Sequence, residues 1–485
     1  MKHKFTIVFG LAALFITICT TSYSQTINFT ETLLRQYTKV QADSMLDANG
    51  VPPGLFSTQY GVKVFKVVYD TPDGQGNPSY ASGLIILPVG DSCQVPIISY
   101  NHGTQLKKDD VFSNLQGEWV IGVIAASTGY AACLPDYLGM GQSPGFHPYQ
   151  HAKTEASATI DLIRACNVLG ATNNINLNGQ IFLMGYSQGG HAAMATHREI
   201  QENYVGELAV TASAPMSGAY DMSGAQFDMV SAFTPYSVPG YLPYLLKGYK
   251  EVYGDTLFAS WDEILKAPYN TTIPPKLTGE FGIGDVNNIM PQVPREIIDS
   301  TYSAEFFADN LHPFRLALKD NDVYKWVPQS WVRINYCGSD EEVNPQNAIN
   351  AYNYMVSNGS TKVSIVERST TLGHFECAQP TILYTKFWFD SLATKCIATT
   401  AINEEITTPG WTVLNNCTEG KIYGTVYDAI SQPYNIYIFN SAGSLIKAYE
   451  GLEGKEFTLD ISTLPSTMYV IRCDVGRGLW YKFIK

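Results

Sequence analysis

The sequence predicts an α/β fold built on a largely parallel sheet, interrupted by one long insertion and followed by a small all-β sandwich. Three observations lead there. Strand-like and helix-like stretches take turns from Val95 to Ala214 and again from Trp331 to Leu392, which is the pattern of a parallel sheet covered by helices. Between about Ser217 and Lys325 the alternation lapses. After about Gly420 short strands of alternating polarity follow one another, separated by turn residues such as Asn440-Ser441-Ala442-Gly443.

Glu31 to Asp47 reads as a polar helix ended by Asn49-Gly50 and Pro52-Pro53. Val62–Tyr69 and Ala81–Leu87, with turn-forming residues between them, read as an antiparallel hairpin. Val95–Tyr100 is more continuously apolar, as a strand buried on both faces should be. Then come a helix over Glu118–Ser127, a strand over Tyr130–Leu134 and a long helix over Pro148–Leu169. The strand Ile181–Met184 leads into a helix over Gly190–Glu202, and Leu208–Ala214 follows. After the insertion, strands at Trp331–Tyr336 and Thr361–Val366 alternate with helices near Gln346–Val356 and Pro380–Leu392. In the insertion, Ala232 to Tyr249 holds four tyrosines and three prolines with Lys247 as its only charge. A stretch that apolar, outside the regular sheet, is expected to fold as a cap over a ligand site.

Composition bounds the function. A net charge of −13 with no basic stripe excludes nucleic acid as a partner. Only 15% of the 485 residues are charged, while tyrosines number 31 and phenylalanines 22. That balance favours an extracytoplasmic protein with an aromatic surface or cleft. Residues 1–24 read as a signal peptide, with Lys2, His3 and Lys4, an apolar run from Ile7 to Ile18, and small residues at Ser22 and Ser24. The run is shorter than the about 20 residues that span a bilayer, and no later stretch is apolar enough, so the mature chain should lack a transmembrane segment. Ile18 before Cys19 argues against lipid attachment. Of the later cysteines, Cys133 and Cys166 fall inside a strand and a helix and are expected to be buried thiols, while the pairing of the rest is not readable. No metal-ligand spacing occurs, and no cofactor is called for.

The chemistry centres on Gly185-Tyr186-Ser187-Gln188-Gly189, a Gly-x-Ser-x-Gly pattern between an apolar strand and a helix. Such a turn holds the serine in a strained conformation and needs glycines beside it. Ser187 requires a base, and the base requires an orienting acid; with this elbow the acid and then the histidine follow in the chain. His191 and His197 lie on the helix that starts at the serine and point along it, and His312 lies in the insertion. His374, in a loop after the last predicted strand and before the last helix, is the expected base. The acid should follow Trp331–Tyr336, where Asp340 is the first carboxylate, with Glu341 and Glu342 as close rivals. The oxyanion donors are expected to be the backbone N–H groups of Gln188 and Thr104.

Asn101-His102-Gly103-Thr104, Pro135-Asp136-Tyr137-Leu138-Gly139-Met140-Gly141-Gln142-Ser143, His147-Pro148-Tyr149, the serine elbow, the Gly-x-Asp-Glu run and Gly373-His374 together resemble the secretory lipase family of α/β-hydrolases, over about Tyr60 to Ser391. The resemblance implies an α/β-hydrolase sheet with a cap or lid insertion and a carboxylic-ester hydrolase related to lipases. Val343-Asn344-Pro345 stands where a shorter Val-Pro is common. The C-terminal strands resemble the sorting domain of the type IX secretion system, through Asn440–Lys447, Leu459-Asp460-Ile461-Ser462-Thr463-Leu464-Pro465, Met468-Tyr469-Val470 and the basic end with Lys482 and Lys485. Asn415-Asn416-Cys417 stands where that family has Asn-Pro.

The expected organisation is a signal peptide (1–24), a catalytic domain (25–396) with a cap at about 217–325, a linker (397–419) and a sorting domain (420–485). The expected function is that of an exported serine esterase or lipase acting on a small-molecule or lipid ester, secreted or displayed at the surface of a Gram-negative bacterium by way of its periplasm. The secretion machinery would be its partner. A serine peptidase of the same fold ranks lower, since too little chain precedes His102 for the large β-domain such enzymes carry. A binding protein on an inactive scaffold ranks lower still, because the Ser, Asp and His set is complete.

Overall fold

The computed structural model describes residues 27–52, 55–56, 58–90, 94–395, 411–413, 420–426, 433–440, 445–465, 468–473 and 480–484. The expected signal peptide, Cys19, Cys93, Cys396, Cys417, Lys485 and most of the expected linker lie outside these residues.

A nine-stranded mixed sheet organises the chain. Its strands are β1 (Phe29–Tyr37), β2 (Gly61–Pro72), β3 (Pro78–Val89), β4 (Gln94–Asn101), β5 (Ala131–Pro135), β6 (Asn176–Tyr186), β7 (Val210–Met216), β8 (Trp331–Cys337) and β9 (Val363–Ser369), in the order β1-β2-β3-β5-β4-β6-β7-β8-β9. From β5 to β9 every pairing is parallel, while β1, β2, β3 and β5 pair antiparallel. Both faces of the central strands are covered. Residues of α3 (Ala152–Thr172) such as Leu162 and Cys166 pack on one face with Val67, Ile85 and Leu183. Val123 of α2 (Val120–Ser127) and Phe389 pack on the other with Ile98, Phe182 and Met184. This double burial explains why Ile97-Ile98 and Phe182-Leu183-Met184 read as unbroken apolar runs. Cys133 and Cys166 are buried thiols in these layers.

The expected helix over Glu31–Asp47 is corrected. Its first part is β1, an edge strand paired with β2, and only Lys39–Ala48 forms α1. An edge strand exposed along most of its length carries polar residues on both faces and so lacks a strand's alternation. Thr38 divides the two by capping: its hydroxyl accepts from Gln41 N and the Gln41 side chain accepts from Thr38 N.

Residues 217–325 build helices α5 (Ala225–Val230) to α11 (Pro313–Asp320), including α6 (Tyr241–Tyr253) and α10 (Ser300–Ala308). They share a core of their own, in which Tyr244, Leu246, Tyr249, Phe258, Ile264 and Phe314 are buried. The apolar composition of Ala232–Tyr249 serves partly that core and partly the cavity described below. α12 (Gln346–Ser357) and α13 (His374–Leu392) complete the helical layers.

The C-terminal region is all β. β11 (Lys421–Val426) and β14 (Glu456–Asp460) join β10 (Trp411–Val413), which falls within the expected linker, in a three-stranded antiparallel sheet. β12 (Tyr434–Asn440), β13 (Leu445–Leu452), β15 (Met468–Cys473) and β16 (Trp480–Ile484) form a four-stranded one. Ile422 and Leu459 from the first sheet and Ile436, Ile438 and Ile471 from the second belong to one buried cluster.

Candidate active site

β6 ends at Tyr186 and α4 (Gln188–Asn203) begins at Gln188, so Ser187 alone makes the turn. It does so at φ 59°, ψ −121°, a conformation non-glycine residues rarely hold. The flanking glycines are required by what surrounds the turn. A Cβ on Gly189 would stand 1.9 Å from the carbonyl oxygen of Asn101, and one on Gly185 would stand 2.2 Å from that of Gly189. The crowding therefore comes from the end of β4 and the start of α4.

Two further loops reach the serine. After β8, Asp340 is buried, and its Oδ1 accepts from the backbone N–H groups of Glu342 (3.1 Å) and Val343 (2.8 Å). After β9 comes His374. The imidazole Nδ1–H donates to Asp340 Oδ2 at 2.8 Å and Nε2 lies 2.9 Å from Ser187 Oγ. Because the carboxylate can only accept, the hydrogen bond fixes the tautomer with Nε2 free to accept from the hydroxyl. All three carboxylates of the acid turn converge on His374. Asp340 takes its Nδ1–H, Glu341 accepts from its backbone N–H at 2.9 Å, and Glu342 Oε2 lies 3.9 Å from Nε2. Burial by itself would lower the imidazole pKa, but the hydrogen bond and charge of Asp340, joined by Glu342 and Glu341, outweigh it, so His374 titrates above the ordinary 6.5.

His374 is the first residue of α13 rather than part of a loop ahead of it. The proline at 380, read as a helix start, lies inside α13. Gly373 is tightly placed, since a Cβ there would approach Glu341 Oε2 to 2.6 Å. The other histidines are engaged elsewhere: His191 with Glu155 and the Asn321 carbonyl, His197 with the hydroxyls of Ser213 and Ser330, and His312 capping α11.

Gln188 opens α4, where the first N–H groups have no acceptor within the helix. Across from it, a Cβ on Gly103 would lie 3.6 Å from Ser187 Cβ, so the loop carrying Thr104 runs beside Ser187. That loop is held by the His102 ring, which packs edge-on against Phe112 and tilts over Tyr137, and by Tyr149, whose hydroxyl lies 2.9 Å from Thr104 Oγ1. Asp136 of the Pro135–Ser143 run is buried and accepts from Ser82 Oγ and Ser113 N, a structural role.

Three features were missed by reading the sequence. The Gln188 side chain donates to both His147 Nε2 (2.7 Å) and Glu155 Oε1 (2.9 Å). His147 Nδ1–H donates to the Leu138 carbonyl, and burial holds this imidazole at about 4, so it stays neutral and anchors the start of α4. Glu155 shares a face of α3 with buried Thr159, Leu162 and Cys166, a charge in phase with apolar neighbours that could have been noticed. The disulfide Cys337–Cys377 joins the end of β8 to the first turn of α13, tying together the two segments that carry Asp340 and His374. Closing a loop of sequence separation 40 constrains the unfolded chain, an effect worth about 4 kcal/mol. Nothing in the cysteine spacing selected that pair.

A cavity opens from Ser187. Its wall is almost wholly apolar and comes largely from the 217–325 segment, including Phe227, Leu242, Leu245 and Phe306, while Tyr241 and Glu342 stand near the serine end.

A mixed, mostly parallel sheet of this order, with the elbow after β6 and further loops from β8 and β9 beside it, is the α/β-hydrolase architecture. Residues 105–253 match the model of the secretory lipase family. The chain is similar to the rice cell wall degrading esterase LipA from Xanthomonas oryzae in a ligand-bound form, with 27% identity and a TM-score of 0.67 over 75% of this chain and 98% of that one. It is also similar to a Legionella pneumophila protein provisionally assigned as a hydrolase, with 26% identity and a TM-score of 0.69 over 77% of this chain and 99% of the other. Candida antarctica lipase A shares the fold at 18% identity, with a TM-score of 0.54 over 78% of this chain and 86% of its own. No curated protein matches the chain.

Proposed function

We propose that the protein is an exported serine hydrolase that cleaves carboxylic esters through an acyl-enzyme. One observation carries this reading: a continuous hydrogen-bond chain from Ser187 Oγ through His374 to Asp340, at 2.9 Å and 2.8 Å. The match to secretory lipases and the likeness to an esterase support the ester as substrate.

Ser187 Oγ attacks the ester carbonyl as His374 Nε2 takes its proton. Asp340 steadies the imidazolium, and the N–H groups of Gln188 and Thr104 hold the oxyanion. His374 returns the proton to the leaving alcohol, and water repeats the sequence on the acyl-enzyme. In this reading the 217–325 segment is the cap and its apolar wall receives the hydrocarbon part of the substrate.

Purified protein is expected to hydrolyse p-nitrophenyl butyrate and longer homologues but not a peptide p-nitroanilide. Cleavage of the anilide alone would turn the assignment to a peptidase. The base must be neutral to act and its pKa is raised, so the acidic limb of kcat/KM should fall above pH 6.5. Glu342→Gln removes a negative charge that favours the imidazolium, and should move that limb to lower pH; an unmoved limb would show that Glu342 does not act on His374.

The C-terminal β region serves, in this proposal, as a type IX sorting domain, supported by its strand pattern and the residues quoted above. Deleting 420–485 should leave esterase activity intact and strand the protein in the periplasm. Normal export of the truncated chain would refute that role.

A further inference from the structure

The cavity beside Ser187 is walled mostly by apolar side chains, and its charged lining residues are Glu342 and Arg295. Glu342 lines it with its side chain 18% exposed and its Oε2 3.9 Å from His374 Nε2, the nitrogen that faces Ser187 Oγ. Tyr241 of α6 donates to the same oxygen at 3.0 Å. Its backbone is pinned as well, since the carbonyl accepts from Tyr236 Oη at 2.7 Å and Gln226 Nε2 at 3.0 Å. No lysine or arginine lies within 4 Å of its carboxylate among the described residues. The other charge on the cavity wall, Arg295, is turned to Phe233 and Phe307, 3.9 Å and 4.8 Å from their ring centres. Glu342 is thus a rigid carboxylate with one hydrogen-bond donor, facing an apolar space.

Its position relative to Nε2 gives it a use, on the reading of Ser187 and His374 proposed above. Nε2 must hand its proton to the departing alcohol, so the leaving oxygen has to sit about 3 Å from that nitrogen. An oxygen 3.9 Å from Nε2 is then within reach of a group carried on the carbon next to the leaving one. An alkyl group in that place would strip water from the carboxylate and return nothing. A hydroxyl would donate to it whether the carboxyl is ionised or neutral. That matters because burial raises the Glu342 pKa, outweighing the opposite pull of His374 and of the Tyr241 hydrogen bond, with Glu341 and Asp340 adding to the rise.

We propose that Glu342 selects the alcohol half of the substrate, favouring esters whose alcohol bears a free hydroxyl beside the ester oxygen, as in a partly acylated polyol, over esters of simple alkanols. Acyl preference would then come from the apolar wall and alcohol preference from this one carboxylate.

The test compares 2-hydroxyethyl butyrate with propyl butyrate, which share an acyl group and differ by a hydroxyl in place of a methyl. After correction for their rates of alkaline hydrolysis, the wild-type enzyme should favour the hydroxyethyl ester in kcat/KM by on the order of tenfold. Glu342→Leu should abolish or invert that ratio, and Glu342→Gln, which keeps a carbonyl acceptor, should retain part of it. If the leucine variant is too weak to assay, the glutamine variant decides, by a ratio lowered or not. An unchanged ratio in a variant that still cleaves p-nitrophenyl butyrate would overturn the inference and leave the esterase reading standing. A preference for butyrylcholine over both esters would assign the carboxylate to a cation and overturn it too. Failure of the wild-type protein to cleave any of these esters would remove the esterase reading and the inference with it.

Discussion

Ser187→Ala should lower kcat on p-nitrophenyl butyrate by ~10⁶ while leaving the fold in place. The hydroxyl is the only group removed, and alanine tolerates φ 59° no worse than serine. The strain at the turn is held by its surroundings: Ser187 N donates to the Met216 carbonyl at 3.0 Å, and Gly190 N donates to the Ser187 carbonyl at 2.8 Å. Neither bond involves the side chain. The variant should therefore melt close to the wild type while losing turnover, and a purified variant that keeps turnover would dismiss Ser187 as nucleophile.

Asp340→Asn should cost ~10⁴ in kcat, and the geometry says why. Asp340 Oδ1 accepts from two backbone N–H groups, Glu342 at 3.1 Å and Val343 at 2.8 Å. An asparagine must keep its carbonyl oxygen there, which turns its NH₂ toward His374. Nδ1 would then have to accept, the proton would move to Nε2, and Nε2 could no longer accept from Ser187 Oγ. The loss should appear in kcat at every pH where the imidazole is neutral. A loss below tenfold would show that Asp340 does not set the tautomer, and would return Glu341 and Glu342 to consideration.

The parts legible in the sequence were those with a local signature. The runs Ile97-Ile98 and Phe182–Met184 were legible as strands because burial on both faces keeps them apolar, and the elbow announces itself by glycines that contact would forbid to any other residue. Ser187, Asp340 and His374 were chosen by chain order, and the structure brings them within hydrogen-bond distance. What was illegible depends on partners far apart in the chain. β1 looked helical because its pairing with β2 is what makes it a strand. Cys337–Cys377 could be chosen only after α13 was known to start at His374. The Gln188–His147–Glu155 contacts join three separate segments, and no spacing within any one of them implies the others. Glu342 was read as a rival for the acid; its place on the Nε2 side of the imidazole is what separates it from Asp340.

The most direct test of the account is covalent trapping of the nucleophile. Incubation with diethyl p-nitrophenyl phosphate, followed by mass spectrometry of the digested protein, should find one diethylphosphoryl group per chain, on the peptide containing Ser187, with its appearance matching the loss of esterase activity. The Ser187→Ala protein should take up none. Inactivation with the label on another residue, or equal labelling of the alanine variant, would contradict the assignment of Ser187.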